Sequence, residues 1–218
     1  MRESSRRASG LLGVVLVVAG LGLGGWLCWE YWGTTWAAER RHEAIGDDLG
    51  QAWARGADRV EVAAGEATAI VRIPAFGSTY AVPLLEGDSD EVLAAGFGHL
   101  AGTAEPGETG NVVLAGHRVT HGEPLRDMPT LEPGDEIVID TARERFTYVL
   151  DTPGDALEVD VDATWVLDPR PVDPSDLGPA PADAPAILTL VTCADLFHSD
   201  QRLVAFAHLV DTEPRAPS

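Results

Sequence analysis

From Ala69 onward the chain is cut into short apolar runs, each stopped by glycine, proline, aspartate or serine. That rhythm admits strands and excludes long helices, because alternation over a few residues suits a half-buried pleated segment. Ile70, Val71 and Ile73, then Tyr80, Val82, Leu84 and Leu85, read as two strands joined by a Gly77-Ser78 turn. Ser89 to Leu93 reads as a short capped helix, followed by a glycine-rich stretch at Gly96 to Leu100 and a Pro106-Gly107-Gly110 loop. Asn111 to Gly116 is a strand ending at His117, and after a Pro133-Gly134-Asp135 turn Glu136 to Asp140 and Arg145 to Leu150 form further strands. Val159 to Leu167 adds one or two more. Ala186 to Thr192 and Leu203 to Val210 are near-continuously apolar, which marks strands buried on both faces. About eight short strands with scraps of helix predict an all-β fold, a closed or nearly closed barrel of one domain over residues 69–211. Residues 168–185, dense in Pro, Asp and Ala, form a long surface loop of the kind that is often functional, and 212–218 is a polar tail.

The N-terminus has a different organisation. Residues 1–10 carry Arg2, Arg6 and Arg7, and residues 11–32 form an apolar anchor whose far end holds Trp26, Trp29, Tyr31 and Trp32. About 20 apolar residues suffice to span a bilayer, and interfacial aromatics favour a retained transmembrane helix over a cleaved signal peptide. The arginines before the run are expected to stay cytoplasmic, so the bulk of the chain faces outward. Residues 33–68 read as a stalk or linker, with proline-free 37–57 suited to a helical stalk that lifts the domain off the membrane or to a semi-flexible linker, and with His42 solvated among Arg40, Arg41 and Glu43. The net charge of −20 excludes a nucleic-acid surface and fits a secreted or cell-surface domain. All 15 basic residues are arginine, so the chain has no side-chain amine with which to acylate itself.

The chain has two cysteines, Cys28 in the apolar run and Cys193 at the end of a buried strand. A disulfide needs its Cα atoms within about 7 Å, which a membrane-embedded thiol does not offer. Cys193 is therefore read as free. A free thiol is either a small buried hydrophobe or a nucleophile poised at a strand end. Alternation puts Thr189, Val191 and Cys193 on one face of that strand, Leu190 and Thr192 on the other. His117, at the end of another strand, suits general acid–base work, although His99, His121, His198 and His208 compete for the role. Of these, His208 reads as a satisfied core residue. Arg202 opens the last strand and offers a fork of donors for an oxyanion or a peptide carbonyl, or simply an ion pair with Asp195 or Asp200. A zinc site from His117, His121 and Cys193 would need a helix that Gly122 and Pro124 oppose. Phosphate-binding glycine loops are absent, and neither metal nor cofactor is expected.

Three segments taken together resemble the class E sortases of actinobacteria, cysteine transpeptidases: Leu114-Ala115-Gly116-His117-Arg118, Thr189-Leu190-Val191-Thr192-Cys193 and Arg202-Leu203-Val204. Ile73-Pro74, Glu86 to Asp90 and Leu131 to Asp135 add to the likeness, which covers roughly Ala69 to Val210. The resemblance implies an eight-stranded sortase-type barrel behind a membrane anchor, with Cys193 as nucleophile, His117 as acid and base, and Arg202 holding the sorting peptide and the oxyanion. It further implies substrate contacts at Ala115, His121 and Thr192. The implied partners are secreted proteins ending in a Leu-Pro-x-Thr-Gly-like signal, for this class often Leu-Ala-x-Thr-Gly, and an amine of a lipid II-like peptidoglycan precursor. Two departures bear on the peptide's identity: His121 stands where such proteins often have tyrosine, and Asp195 where they often have proline. A pilin-polymerising sortase and a non-catalytic peptide-binding barrel are the alternatives. An L,D-transpeptidase fits less well, because Leu-Val-Thr-Cys replaces its Ser-His-Gly-Cys context.

Overall fold

The computed structural model describes residues 16–24, 34–119, 122–174, 178–193 and 201–215, with the backbone alone at 34–36 and 193. Ten strands form one sheet: β1 (Val60–Val62), β2 (Gly65–Arg72), β3 (Val82–Glu86), β4 (Phe97–His99), β5 (Gly110–Ala115), β6 (Glu136–Asp140), β7 (Glu144–Leu150), β8 (Leu157–Asp160), β9 (Ala186–Cys193) and β10 (Gln201–Pro214). Neighbours run β1-β2-β3-β4-β5-β9-β10-β7-β6, and β6 pairs back onto β2. Eight strands thus close a ring, while β1 lies beside β2 alone and β8 beside the start of β10. The sequence expectation of a closed barrel of eight short strands holds.

Alternation fills the barrel. Ala67, Ala69 and Val71 of β2 and Phe146, Tyr148 and Leu150 of β7 are buried at every second position. Most of these join Phe97, Leu114, Leu125, Met128, Leu188, Leu190, Leu203 and Ala205 in the main core. The ring closes where β6 meets both β2 and β7, and Asp140 sits at that seam opposite Ile70 and Arg145. Its carboxylate accepts from Arg72 Nε at 3.0 Å and Arg145 Nε at 2.7 Å. Burial pushes the Asp140 carboxyl up, but the two guanidiniums outweigh it and hold the group below its ordinary value.

Several local expectations change. The 96–100 stretch, read as a glycine-rich segment, contains β4, which lies between β3 and β5. The glycines are what let it fit, since a Cβ at Gly96 or Gly98 would stand 2.3 Å from the carbonyl oxygens of Pro83 or Gly87. Residues 157–167 hold one strand, β8, and then a single 3-10 turn at Thr164–Leu167. The short helix is as expected: α2 (Asp90–Leu93) is capped by the Ser89 hydroxyl, which accepts from Val92 N at 3.3 Å.

The largest difference lies before the barrel. Where a stalk or linker was expected, α1 (Thr34–Ala54) lies along the sheet. Ile45, Leu49 and Trp53, spaced by four, form a stripe packed on Ala67, Leu85, Val92 and Ala95. The Arg215 guanidinium lies 4.5 Å over the Trp53 ring. His42, read as solvated, is 7% exposed on the buried side of this helix. Residues 16–24 are helical and exposed. Among the described residues no helix is long and apolar enough to cross a membrane, and the 11–32 span lies partly outside them.

Candidate active site

The site is set by how three adjacent strands end. β5 and β9 run parallel, with Leu114 beside Leu190 and Ala115 beside Val191. The pairing outlasts the ladder: Gly116 N donates to Val191 O at 3.1 Å, and Thr192 Oγ1 donates to Gly116 O at 2.7 Å. His117 and Cys193 each stand two residues beyond the Ala115–Val191 pair. On the other edge of β9, Arg202 of β10 is the direct partner of Cys193. The backbone of Cys193 therefore has Arg202 as its partner on one side, while the strand that leads to His117 pairs along the other edge of β9.

Each flank has a support. His117 is half-buried, and its carbonyl accepts from Leu125 N at 3.0 Å. Leu125 is fully buried in the core, so that bond ties the histidine to a fixed point. Gly116 lets the chain pass here, because a Cβ would stand 3.1–3.2 Å from the Phe97 ring and Leu125 Cδ1. Arg202 is half-buried, with Nη1 donating to Gln201 O at 3.0 Å. It precedes Val204 and Phe206 on the face of β10 that packs against Leu157, Val166 and Val191. Deeper in the sheet, buried Asn111 donates to the carbonyls of Val166 and Asp168 and accepts from Thr189 Oγ1 at 2.7 Å. That network fixes the start of the 168–185 loop to β5 and β9.

The other expected residues divide. Ala115 is half-buried at the end of β5, beside Val191. Thr192, expected as a substrate contact, is 3% exposed and spends its hydroxyl on Gly116 O. Its visible role is to strut the residue before His117. His121, Asp195 and His198 lie outside the described residues. The competing histidines that are described are committed elsewhere. His99 Nε2 lies 2.9 Å from Ala104 O and Nδ1 3.1 Å from Glu86 Oε2. His208, expected in the core, is half-buried and paired with Asp151 at 2.7 Å.

Among the described residues one group could offer metal ligands together, Glu86, His99 and Glu105. Both ring nitrogens of His99 already face oxygen acceptors, which is the arrangement of an imidazolium held by a carboxylate. Burial lowers the His99 pKa, but the hydrogen bond and charge of Glu86 outweigh it and leave it raised. Two further residues near the site carry no local signal of their role. Leu125 belongs to no strand or helix pattern, and Gly122 reads only as a helix breaker.

Residues 71–210 match the family described as Sortase domain. Sortase SrtE1 of Streptomyces coelicolor is 33% identical over 218 residues, covering 96% of this chain and 59% of that protein. The chain thus spans about three-fifths of that relative's length. Among solved structures, sortase E from Streptomyces avermitilis is 40% identical with a TM-score of 0.57, covering 67% of this chain and 89% of that one. The crystal structure of Sortase E1 from Streptomyces coelicolor with a tripeptide in the active site is 34% identical with a TM-score of 0.57, covering 72% and 94%.

Proposed function

The chain belongs to the sortase family of cysteine transpeptidases, and from that premise we propose that it is a membrane-anchored, outward-facing enzyme that cleaves a Leu-Ala-x-Thr-Gly-like sorting signal between Thr and Gly. The sulfur of Cys193 attacks the threonine carbonyl carbon, and the carbonyl electron pair moves onto oxygen. Arg202 donates to that oxyanion, a role its fixed positive fork suits. As the C–N bond breaks, protonated His117 gives its proton to the departing glycine nitrogen, leaving a thioester on Cys193. An incoming amine then attacks the thioester and loses a proton to His117. Its N–C bond replaces the C–S bond and returns the thiolate. The acceptor is an amine of a peptidoglycan precursor, and the partners are secreted proteins carrying the signal. The apolar run at 11–32 anchors the enzyme, with residues 1–10 cytoplasmic.

One observation supports this reading above the others: Arg202 is the direct strand partner of Cys193, on a strand whose other edge pairs with the strand that leads to His117. The test is a chromatographic cleavage assay on Leu-Ala-x-Thr-Gly and Leu-Pro-x-Thr-Gly peptides, with the full chain in detergent and with or without a small amine. Amine-dependent product that disappears in Cys193→Ala and His117→Ala supports it. Equal background turnover by wild type and both variants refutes it.

A further inference from the structure

Gly122 touches the N-terminal helix. A Cβ there would stand 2.8 Å from His42 Cε1 and 3.0 Å from Ala38 Cβ, so the bare backbone of residue 122 rests on α1. Both helix residues are buried, Ala38 at 3% and His42 at 7% exposure. His42 Nε2 has no hydrogen-bond partner among the described residues, and burial first, then Arg41, lowers its pKa to about 4. The imidazole is neutral at physiological pH, and the contact is one of shape. The backbone it touches is strained: Gly122 has φ +82° and Glu123 φ +48°, two successive left-handed residues, the second not glycine. Such a pair persists when its surroundings hold it. The far end is held too, since Tyr80 Oη donates to Pro124 O at 2.6 Å and Leu125 N donates to His117 O at 3.0 Å.

We propose that α1 is a positioning element for the acid–base histidine: Ala38 and His42 form the seat for Gly122, and through the 122–125 stretch that seat sets where His117 stands. The proposal deepens the sortase reading and rests on its assignment of His117. It makes the segment between anchor and barrel part of the working site. The effect of His42 and Ala38 reaches the chemistry through the 122–125 stretch and its Leu125–His117 bond. A displacement of about 1 Å at an acid–base group can cost up to ~100-fold in rate, so a one-methyl perturbation of the seat is enough to read.

The test uses the full chain in detergent and two readouts. The first is hydrogen exchange of the Leu125 amide, which needs no turnover. In Ala38→Val, and separately in Gly122→Ala, its protection falls ~10-fold or more while the amides of Ile137 and Tyr148 keep wild-type protection. The second is the kcat against KM split on the sorting peptide. Gly122→Ala lowers kcat ~10-fold with KM within about twofold. Removing the obstructing ring in Gly122→Ala/His42→Ala restores at least ~3-fold of it, a coupling expected only of residues in contact. Unchanged Leu125 protection in both single variants overturns the proposal. So does an equal kcat loss for Gly122→Ala with and without His42, which would assign the effect to backbone strain alone. Failure of the sortase reading looks different: wild type cleaves nothing, whatever the exchange data show.

Discussion

Thr192 tests whether the end of β9 is built as described. Thr192 is 3% exposed, and its hydroxyl donates to Gly116 O at 2.7 Å, a short bond between the residue before Cys193 and the residue before His117. Thr192→Val keeps the shape and removes the donor, so no cavity forms and the loss isolates the bond. A buried carbonyl left without its partner costs about 1–3 kcal/mol. For a chain of this size each kcal/mol corresponds to roughly 2–4 °C in Tm, so a fall of about 2–12 °C is expected. Gly116 is also freed to drift from Val191, which moves His117 away from Cys193. On the peptide substrate kcat should drop ~10-fold while KM stays put, since the bond orients catalytic groups and touches no ligand. Thr192→Ser keeps the donor and loses one buried methyl, worth about 0.8 kcal/mol, and should retain most of kcat. Thermal unfolding and steady-state cleavage of the three proteins decide the matter. A Thr192→Val enzyme with wild-type Tm and a raised KM would make the hydroxyl a substrate contact and refute the strut.

Substitutions at three further positions probe the frame around the site. Asp140→Ala leaves Arg72 and Arg145 without their shared carboxylate; because both are about two-fifths exposed, the cost in urea unfolding should be ~2–4 kcal/mol rather than the full buried-pair value. Asp140 titrates below its ordinary value in the fold, so its contribution is complete above about pH 4 and is lost as pH falls through the depressed folded pKa. Asp140→Asn should therefore flatten part of the acid limb of a Tm-against-pH curve. His99 has the opposite sign: its folded pKa is raised, so the stability it lends is complete below about pH 6.5 and fades as pH rises through the folded value. His99→Gln should abolish that alkaline decline, and a decline that persists would place its source elsewhere. Gly107→Ala would put a Cβ 2.1 Å from Phe146 Cε1 at φ +86° and disturb the Gly107 N to Tyr148 Oη bond, costing about 2 kcal/mol or more by urea unfolding.

The barrel strands were legible because their signal is local: β2, β5, β9 and β10 each announce themselves by apolar residues at strand spacing between turn formers. The elements that escaped have a signal that is weak or shared with something else. β4 reads as a loop because Gly96 and Gly98 are demanded by neighbouring carbonyls that are not adjacent in sequence. The stripe of α1 is three residues long, Ile45, Leu49 and Trp53, and is hidden among alanines, arginines and acids whose usual home is solvent. His42 was misjudged for the same reason, since its burial comes from a helix meeting a loop some 80 residues later. Cys193, His117 and Arg202 could be named one by one from residue type and strand position. Their meeting rests on the parallel β5–β9 pairing across more than 70 residues, which no local pattern encodes. The same long-range pairing turned the Thr192 hydroxyl toward Gly116.

The central claim is that the sulfur of Cys193 carries the acyl group between two amines. Intact-protein mass spectrometry of the full chain, mixed briefly with a Leu-Ala-x-Thr-Gly peptide and no added amine, tests it most directly. The expected product is a species heavier by the peptide up to its threonine less one water. That species should be absent in Cys193→Ala, mapped to residue 193 by digestion, and discharged when an amine is added. Peptide cleavage with no such adduct in wild type, or an adduct that persists in Cys193→Ala, would contradict it.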